Sequence, residues 1–212
     1  MAHYDLEEQE QIDSLKTWWK MYGNLVTGLV MAGSLAVVGW QGWNWYQGGQ
    51  SAQAAAIYGV LEQAASVGDA QKVKAASGEL VEKFGRTAYA SLGALVAAKQ
   101  SFDAGDLKTA KTQLAWVAEN GKNEARDLAR LRLAAVQLDE QAYDEALKQL
   151  ETAHAAAFDA RFLELKGDVL AAQGKKTEAR SAYKSALEKL TDKQTASREL
   201  LQQKLDSLGE VA

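Results

Sequence analysis

The sequence predicts an all-α protein, with a single N-terminal transmembrane helix followed by an α-solenoid of about four helical hairpins. Three observations carry this. The 212 residues contain no proline and abundant alanine, so little in the chain interrupts a helix. No Asp, Glu, Lys or Arg occurs between Lys20 and Glu62, and inside that gap lies the apolar run 25–40 (LVTGLVMAGSLAVVGW). Beyond it, a turn followed by an alanine recurs at intervals of 36 and 33 residues.

The first segment, residues 1–20, reads as an acidic, solvated tail bearing Asp5, Glu7, Glu8, Glu10 and Asp13. Residues 21–46 read as a membrane anchor with aromatic flanks. Trp18, Trp19 and Tyr22 stand on one side; Trp40, Trp43, Trp45 and Tyr46 stand on the other. Such rings favour the membrane–water interface, where one edge stays wet. Tyr22 to Trp43 spans roughly 32 Å of helix, close to a hydrocarbon core of about 30 Å. Ala52, Gln53 and Ala54 fit a small-residue cleavage site, but the apolar run exceeds a signal-peptide core and an acidic segment precedes it. An uncleaved anchor is expected. Lys16 and Lys20 precede the span, and the next cation is Lys72. The positive-inside bias therefore puts the N-terminus in the cytoplasm and residues 47–212 in the periplasm. Gly28, Ala32 and Ala36 form an i, i+4, i+8 stripe where a second membrane helix could approach closely. Gly48 and Gly49 are expected to form a hinge.

The repeat follows. Segments 105–110 (GDLKTA), 141–146 (QAYDEA) and 174–179 (GKKTEA) align on Ala110, Ala146 and Ala179. Small residues stand twelve positions earlier (Ala98, Ala134, Gly167) and seven later (Val117, Ala153, Ala186). A large one stands between them (Leu114, Leu150, Tyr183). A period near 34 with alanine at the tight helix crossing is a tetratricopeptide repeat (TPR) pattern. A fainter unit turns at Gly68-Asp69 and ends its helix at Gly85. Residues 194–208 read as a capping helix that closes the stack.

Composition narrows the function. A net charge of −4 argues against nucleic acid, which needs clustered cations. The absence of cysteine excludes disulfides, thiol nucleophiles and cysteine metal sites. His3 and His154 form no metal pair; His154 is placed in a second helix as a packing residue. Ser181 and Lys184 match a serine–lysine spacing by letters only. No phosphate-binding or nucleophile-elbow motif occurs. The expectation is a non-enzyme without catalytic residues, metal or cofactor. In the usual TPR register the inner positions are Leu92, Leu95, Lys99 and Phe102 in one hairpin. They are Leu128, Leu131, Ala135 and Leu138 in the next, and Arg161, Glu164 and Asp168 in the last. These residues would line a groove, apolar in the middle and charged at the C-terminal end, or else serve as core between hairpins.

Residues 4–11 (YDLEEQEQ), 15–24 (LKTWWKMYGN) and 39–47 (GWQGWNWYQ) resemble the bacterial YfgM family, as does the alanine-rich helix after them. The resemblance extends to the whole architecture of tail, anchor and TPR-like domain. It implies an ancillary subunit of the SecYEG channel in the inner membrane, associated with a membrane-anchored chaperone like PpiD and receiving unfolded secretory segments. It also implies a possible cytoplasmic regulator at the tail. Without the resemblance, the residues equally suit a membrane-tethered TPR adaptor in envelope assembly or cell-division coordination.

Overall fold

The computed structural model describes residues 6–191 and 194–209. Two compact units divide the chain, Met1–Gln50 and Ser51–Ala212. The described residues are helical throughout, apart from turns and short loops.

Helix α1 (Leu6–Ser66) supplies the first unit and the start of the second. It begins at Leu6, so the expected disordered tail is corrected to helix from that residue onward, while residues 10–20 remain solvent-exposed. Segment 6–20 contains no Gly or Pro and is rich in Glu, Gln, Leu and Lys, all good helix formers. Lys16 pairs with Asp13 at 3.0 Å, and Thr17 Oγ1 donates to the Asp13 carbonyl. Tyr4, Asp5 and His3 lie outside the described residues. The helix also runs through Gly48 and Gly49, against the expected hinge. Two glycines cost about 1 kcal/mol each relative to alanine, which long helical flanks can absorb. The two compact units nevertheless divide right after this pair, between Gln50 and Ser51.

In the second unit, α2 (Ala70–Phe84), α3 (Ala88–Asp103), α4 (Leu107–Asn120) and α5 (Asn123–Asp139) are followed by α6 (Tyr143–Leu150), α7 (Asp159–Ala172), α8 (Lys176–Lys189) and α9 (Thr195–Ser207). The end of α1 pairs with α2, then α3 with α4, α5 with α6 and α7 with α8. The helices α3, α5 and α7 adjoin one another as an inner layer. Their turns are four copies of one design. Gly68, Gly105, Gln141 and Gly174 take φ of +73°, +78°, +61° and +77°, each in the left-handed region. In each, the next residue's N–H returns to a carbonyl five positions back, as Asp106 does to Ser101 and Ala142 to Gln137. The first two turns add an aspartate cap: Asp69 Oδ1 accepts from the Lys72 N–H and Asp106 Oδ1 from the Thr109 N–H, each at 3.0 Å. Those bonds to the ionised form hold both carboxyls below the usual carboxylate range.

The core is a row of junctions. Ala54, Leu61 and Ala64 of α1 meet Val73, Leu80, Ala90 and Ala97. Leu95, Ala98, Leu114 and Val117 meet Ala129 and Leu133. Leu131, Ala134 and Ala146 meet Leu150, Phe162 and Val169. Leu170, Ala179 and Tyr183 meet Leu201 and Leu205 of α9, the expected capping helix. The marker alanines Ala110, Ala146 and Ala179 are fully buried, and Leu114, Leu150 and Tyr183 pack beside them. Gly167 lies under the Tyr183 ring, where an added Cβ would overlap it.

The third hairpin departs from the pattern. Helix α6 has 8 residues and stops at Leu150, so Ala153 is exposed outside any helix and is not a crossing residue. His154 likewise sits in the loop before the 3-10 turn Ala156–Phe158, not in a second helix. Helix α5 holds that loop. Asp127, 1% exposed, accepts the Ala155 N–H at 2.9 Å, and Arg130 Nη1 donates to the Ala153 carbonyl at 3.0 Å. A buried carboxylate needs such donors, and a continued α6 would have withheld the Ala155 N–H from it. Gly85 follows α2 as expected, but in the right-handed conformation.

Candidate interaction surfaces

The inner layer divides the expected groove residues into two kinds. Leu95 and Leu131 are buried at hairpin junctions, and Leu138 packs against the Leu131 cluster. These are core. Leu92 and Phe102 are 41% and 42% exposed, unusual for large apolar side chains. Each lines a depression between α3 and α5. The wider one, about 500 Å³, has Leu92, Leu95, Leu128 and Phe158 around its walls, with Arg86 and Lys122 among its polar residues. The second, about 260 Å³, is lined by Ala98, Phe102, Leu114, Ala135 and Val136, with Lys99, Arg132 and Asp139 beside them. Lys99 also pairs with Asp103 at 2.5 Å on the surface. Six of the eight expected apolar-groove positions therefore line or floor these two hollows.

The charged end is different. Arg161 is exposed, but Glu164 and Asp168 are occupied. Lys204 of α9 donates to Glu164 Oε1 and Asp168 Oδ2, both at 2.8 Å, and Tyr183 Oη donates to Asp168 Oδ1 at 2.7 Å. Burial works against the Lys204 charge, but the two carboxylates outweigh it and hold the ammonium above its ordinary value. Burial, and then the hydrogen bond to Asp168 and that carboxylate's charge, push the Tyr183 phenol upward as well. The expectation of an open charged groove at α7 is thus corrected: the capping helix covers it. The signal missed was Lys204, since a capping helix reads as polar surface, whereas this lysine reaches back 40 residues to Glu164.

Neither histidine-based nor serine–lysine chemistry is assembled. His154 stacks on Phe162 with ring centroids 3.8 Å apart, its Nδ1 2.8 Å from the Thr152 carbonyl and its Nε2 3.3 Å from Asp159. Asp159 is bridged by Lys189 at 2.8 Å, and that lysine chiefly holds its carboxyl low. Ser181 and Lys184 are both exposed. Among the described residues no cluster of His, Asp or Glu could hold a metal.

In the first unit, α1 is long and apolar enough to cross a membrane. Its best window has a mean hydropathy of 1.6 and is 6% buried, which a soluble core helix would not be. Trp18, Trp19, Tyr22, Trp40, Trp43, Trp45 and Tyr46 are all exposed there. Gly28, Ala32 and Ala36 share one exposed side, and a Cβ added at Gly28 would meet nothing. Lys16 and Lys20 are exposed, roughly two and a half and one and a half turns before the apolar run.

A model of the tetratricopeptide repeat-like domain matches residues 16–210, from α1 past α9. The ancillary SecYEG translocon subunit of Neisseria gonorrhoeae is 36% identical over 96% of this chain and 98% of its own length. The chain belongs to the YfgM family. The Haemophilus influenzae protein of the same name is 32% identical over 86% of this chain and 90% of its own length. The Escherichia coli one is 29% identical over 95% and 97%. The likeness to these YfgM-family proteins covers both units.

Proposed function

We propose that this protein is a membrane-anchored, non-enzymatic ancillary subunit of the SecYEG translocon. The observation that carries this reading is the likeness to relatives of that name over nearly the whole of both chains. Two features support it. An exposed apolar helix suits an anchor, and inner-layer hollows with exposed Leu92 and Phe102 suit an apolar peptide or a partner helix.

In this reading residues 1–20 are cytoplasmic, 21–46 cross the inner membrane and 47–212 are periplasmic. Lys16 and Lys20 set that orientation and the Trp and Tyr flanks fix its depth. The side of α1 bearing Gly28, Ala32 and Ala36 meets a channel helix. The hollows at Leu92, Leu128, Phe102 and Ala135 receive a PpiD-like co-chaperone or an emerging secretory segment. The acidic tail is available to a cytoplasmic regulator. Anchoring raises the local concentration of the hollows near the channel exit.

The test places a photo-crosslinking residue at Ala32 and, separately, at Phe102 in native membranes, and identifies adducts by mass spectrometry. Adducts with channel subunits at Ala32, and with a chaperone or nascent chain at Phe102, are expected. Adducts confined to envelope-assembly or division proteins would replace the translocon with an adaptor role of another kind.

A further inference from the structure

We infer that the membrane helix pairs with a second copy of this chain through a polar side distinct from the Gly28, Ala32, Ala36 side. This rests on the reading that residues 21–46 span the membrane.

Four uncharged polar side chains fall within or at the edge of the apolar run: Asn24, Thr27, Ser34 and Gln41. All four are exposed. Thr27, Ser34 and Gln41 recur at intervals of seven residues. At about 100° per residue they share one side of the helix, drifting by only about 20° per heptad. Val30 and Val37 fall between them, three residues on, at the d position of heptads that start at Thr27 and Ser34. Trp19 lies over Gly23, 3.2 Å from where a Cβ would stand, so the exposed strip begins at Thr27. The opposite side, with Leu25, Gly28, Leu29, Ala32, Ala36 and Trp40, carries no side-chain acceptor.

Hydrocarbon offers these groups no water, so each gains from a protein partner. Ser34 Oγ donates to the Val30 carbonyl at 2.9 Å, which leaves its oxygen free to accept. Thr27 and Gln41 have no hydrogen-bond partner among the described residues. The occupant follows from symmetry. Two copies insert in the same direction, so a two-fold pair sets Thr27 against Thr27, Ser34 against Ser34 and Gln41 against Gln41 at equal depth. Threonine and glutamine each carry a free donor and an acceptor, so each complements its own copy, and the Ser34 pair does so when one of the two hydroxyls turns from the Val30 carbonyl to the facing oxygen. A different helix would need polar groups at the same three depths. The seven-residue period is the one that keeps a seam closed in a left-handed helix pair. Lys20 occupies the preceding heptad position, but before the span, where its stem carries the ammonium into water.

The chain has no cysteine, so a single introduced one reports alone. Full-length Thr27→Cys, Ser34→Cys, Gln41→Cys, Leu29→Cys, Ala32→Cys and Ala36→Cys variants would be reconstituted in phosphatidylethanolamine–phosphatidylglycerol vesicles and oxidised. The first three should form disulfide dimers in about tenfold higher yield than the last three, because only a facing pair meets disulfide geometry. Energy transfer between donor- and acceptor-labelled chains should fall in a Ser34→Ala, Gln41→Leu double variant. Equal yields at all six sites, or a maximum at Ala32 and Ala36, would overturn the proposal. So would a chain that inserts but stays monomeric. A chain that alkaline carbonate strips from the vesicles would instead sink the spanning reading, and this inference with it.

Discussion

Helices α3 and α7 occupy the same place in repeats two units apart, yet their inner faces end in opposite states. On α3, Leu92 and Phe102 stay exposed beside two hollows that α5 helps to wall. On α7, Glu164 and Asp168 are held by Lys204 and Tyr183, and α9 lies against the helix. The repeat position alone does not make a binding surface. The next element along the stack decides whether the position is open. An interior hairpin leaves its inner face to solvent or a partner, whereas the terminal one gives it to the cap, as a one-dimensional array requires at its end.

The comparison breaks most completely where the array itself breaks. Ala146→Arg should abolish the cooperative thermal melt followed by circular dichroism, because a long cation cannot enter a fully buried helix crossing. Next in size is Leu131→Asp, which puts a carboxylate into a hairpin junction and should cost about 3–5 kcal/mol in urea unfolding. Phe102→Asp should cost no more than about 1 kcal/mol, since that ring is half exposed, while losing crosslinks to the inner-face partner. A Leu131→Asp protein that folds normally but loses binding would reverse the assignment of core and groove.

Lys204→Met tests the closed end. It leaves Glu164 and Asp168 facing each other without their shared cation, and should cost about 1–2 kcal/mol, as the clamp is only partly buried. The pH dependence has a definite sign. The folded protein holds the Lys204 ammonium above its ordinary value of 10.5. Its contribution is complete below that value and is lost as pH rises through the higher folded one. Wild-type stability should therefore fall more steeply above about pH 10.5 than that of Lys204→Met. On the acid side, Asp69, Asp106 and Asp159 are held low, so their contribution is present above the ordinary carboxylate value and is lost as pH falls below about 4. Thermal melts across both ranges check both signs.

The smallest effect concerns the odd turn. Gln141 adopts φ +61° where the other three turns use glycine. Gln141→Gly should raise stability by about 0.5–1 kcal/mol by relieving a left-handed side-chain residue. A decrease would mean that the Gln141 side chain contributes more than its backbone costs.

Much of this was legible in the chain. The three marker alanines, the large residues four positions later, all four turns and the capping helix were readable, because each depends on local spacing and on side-chain volume at a helix crossing. The apolar gap and its aromatic flanks were readable because hydrophobicity and length are properties of composition. Continuity through Gly48 and Gly49 was not legible, because glycine propensity is a weak term beside a long cooperative helix. The end of α6 was not legible for a different reason. Residues 151–157 (ETAHAAA) favour helix locally, but Asp127, 28 residues away, takes the Ala155 N–H. The Lys204 clamp is likewise a long-range pairing. The sequence by itself thus determined the helices, their repeat and the apolar segment, since these rest on contacts within a few turns. Only the tertiary structure decided which inner positions became core, which stayed open and which were closed by the cap. Those outcomes depend on charges and hydrogen bonds brought together from distant parts of the chain.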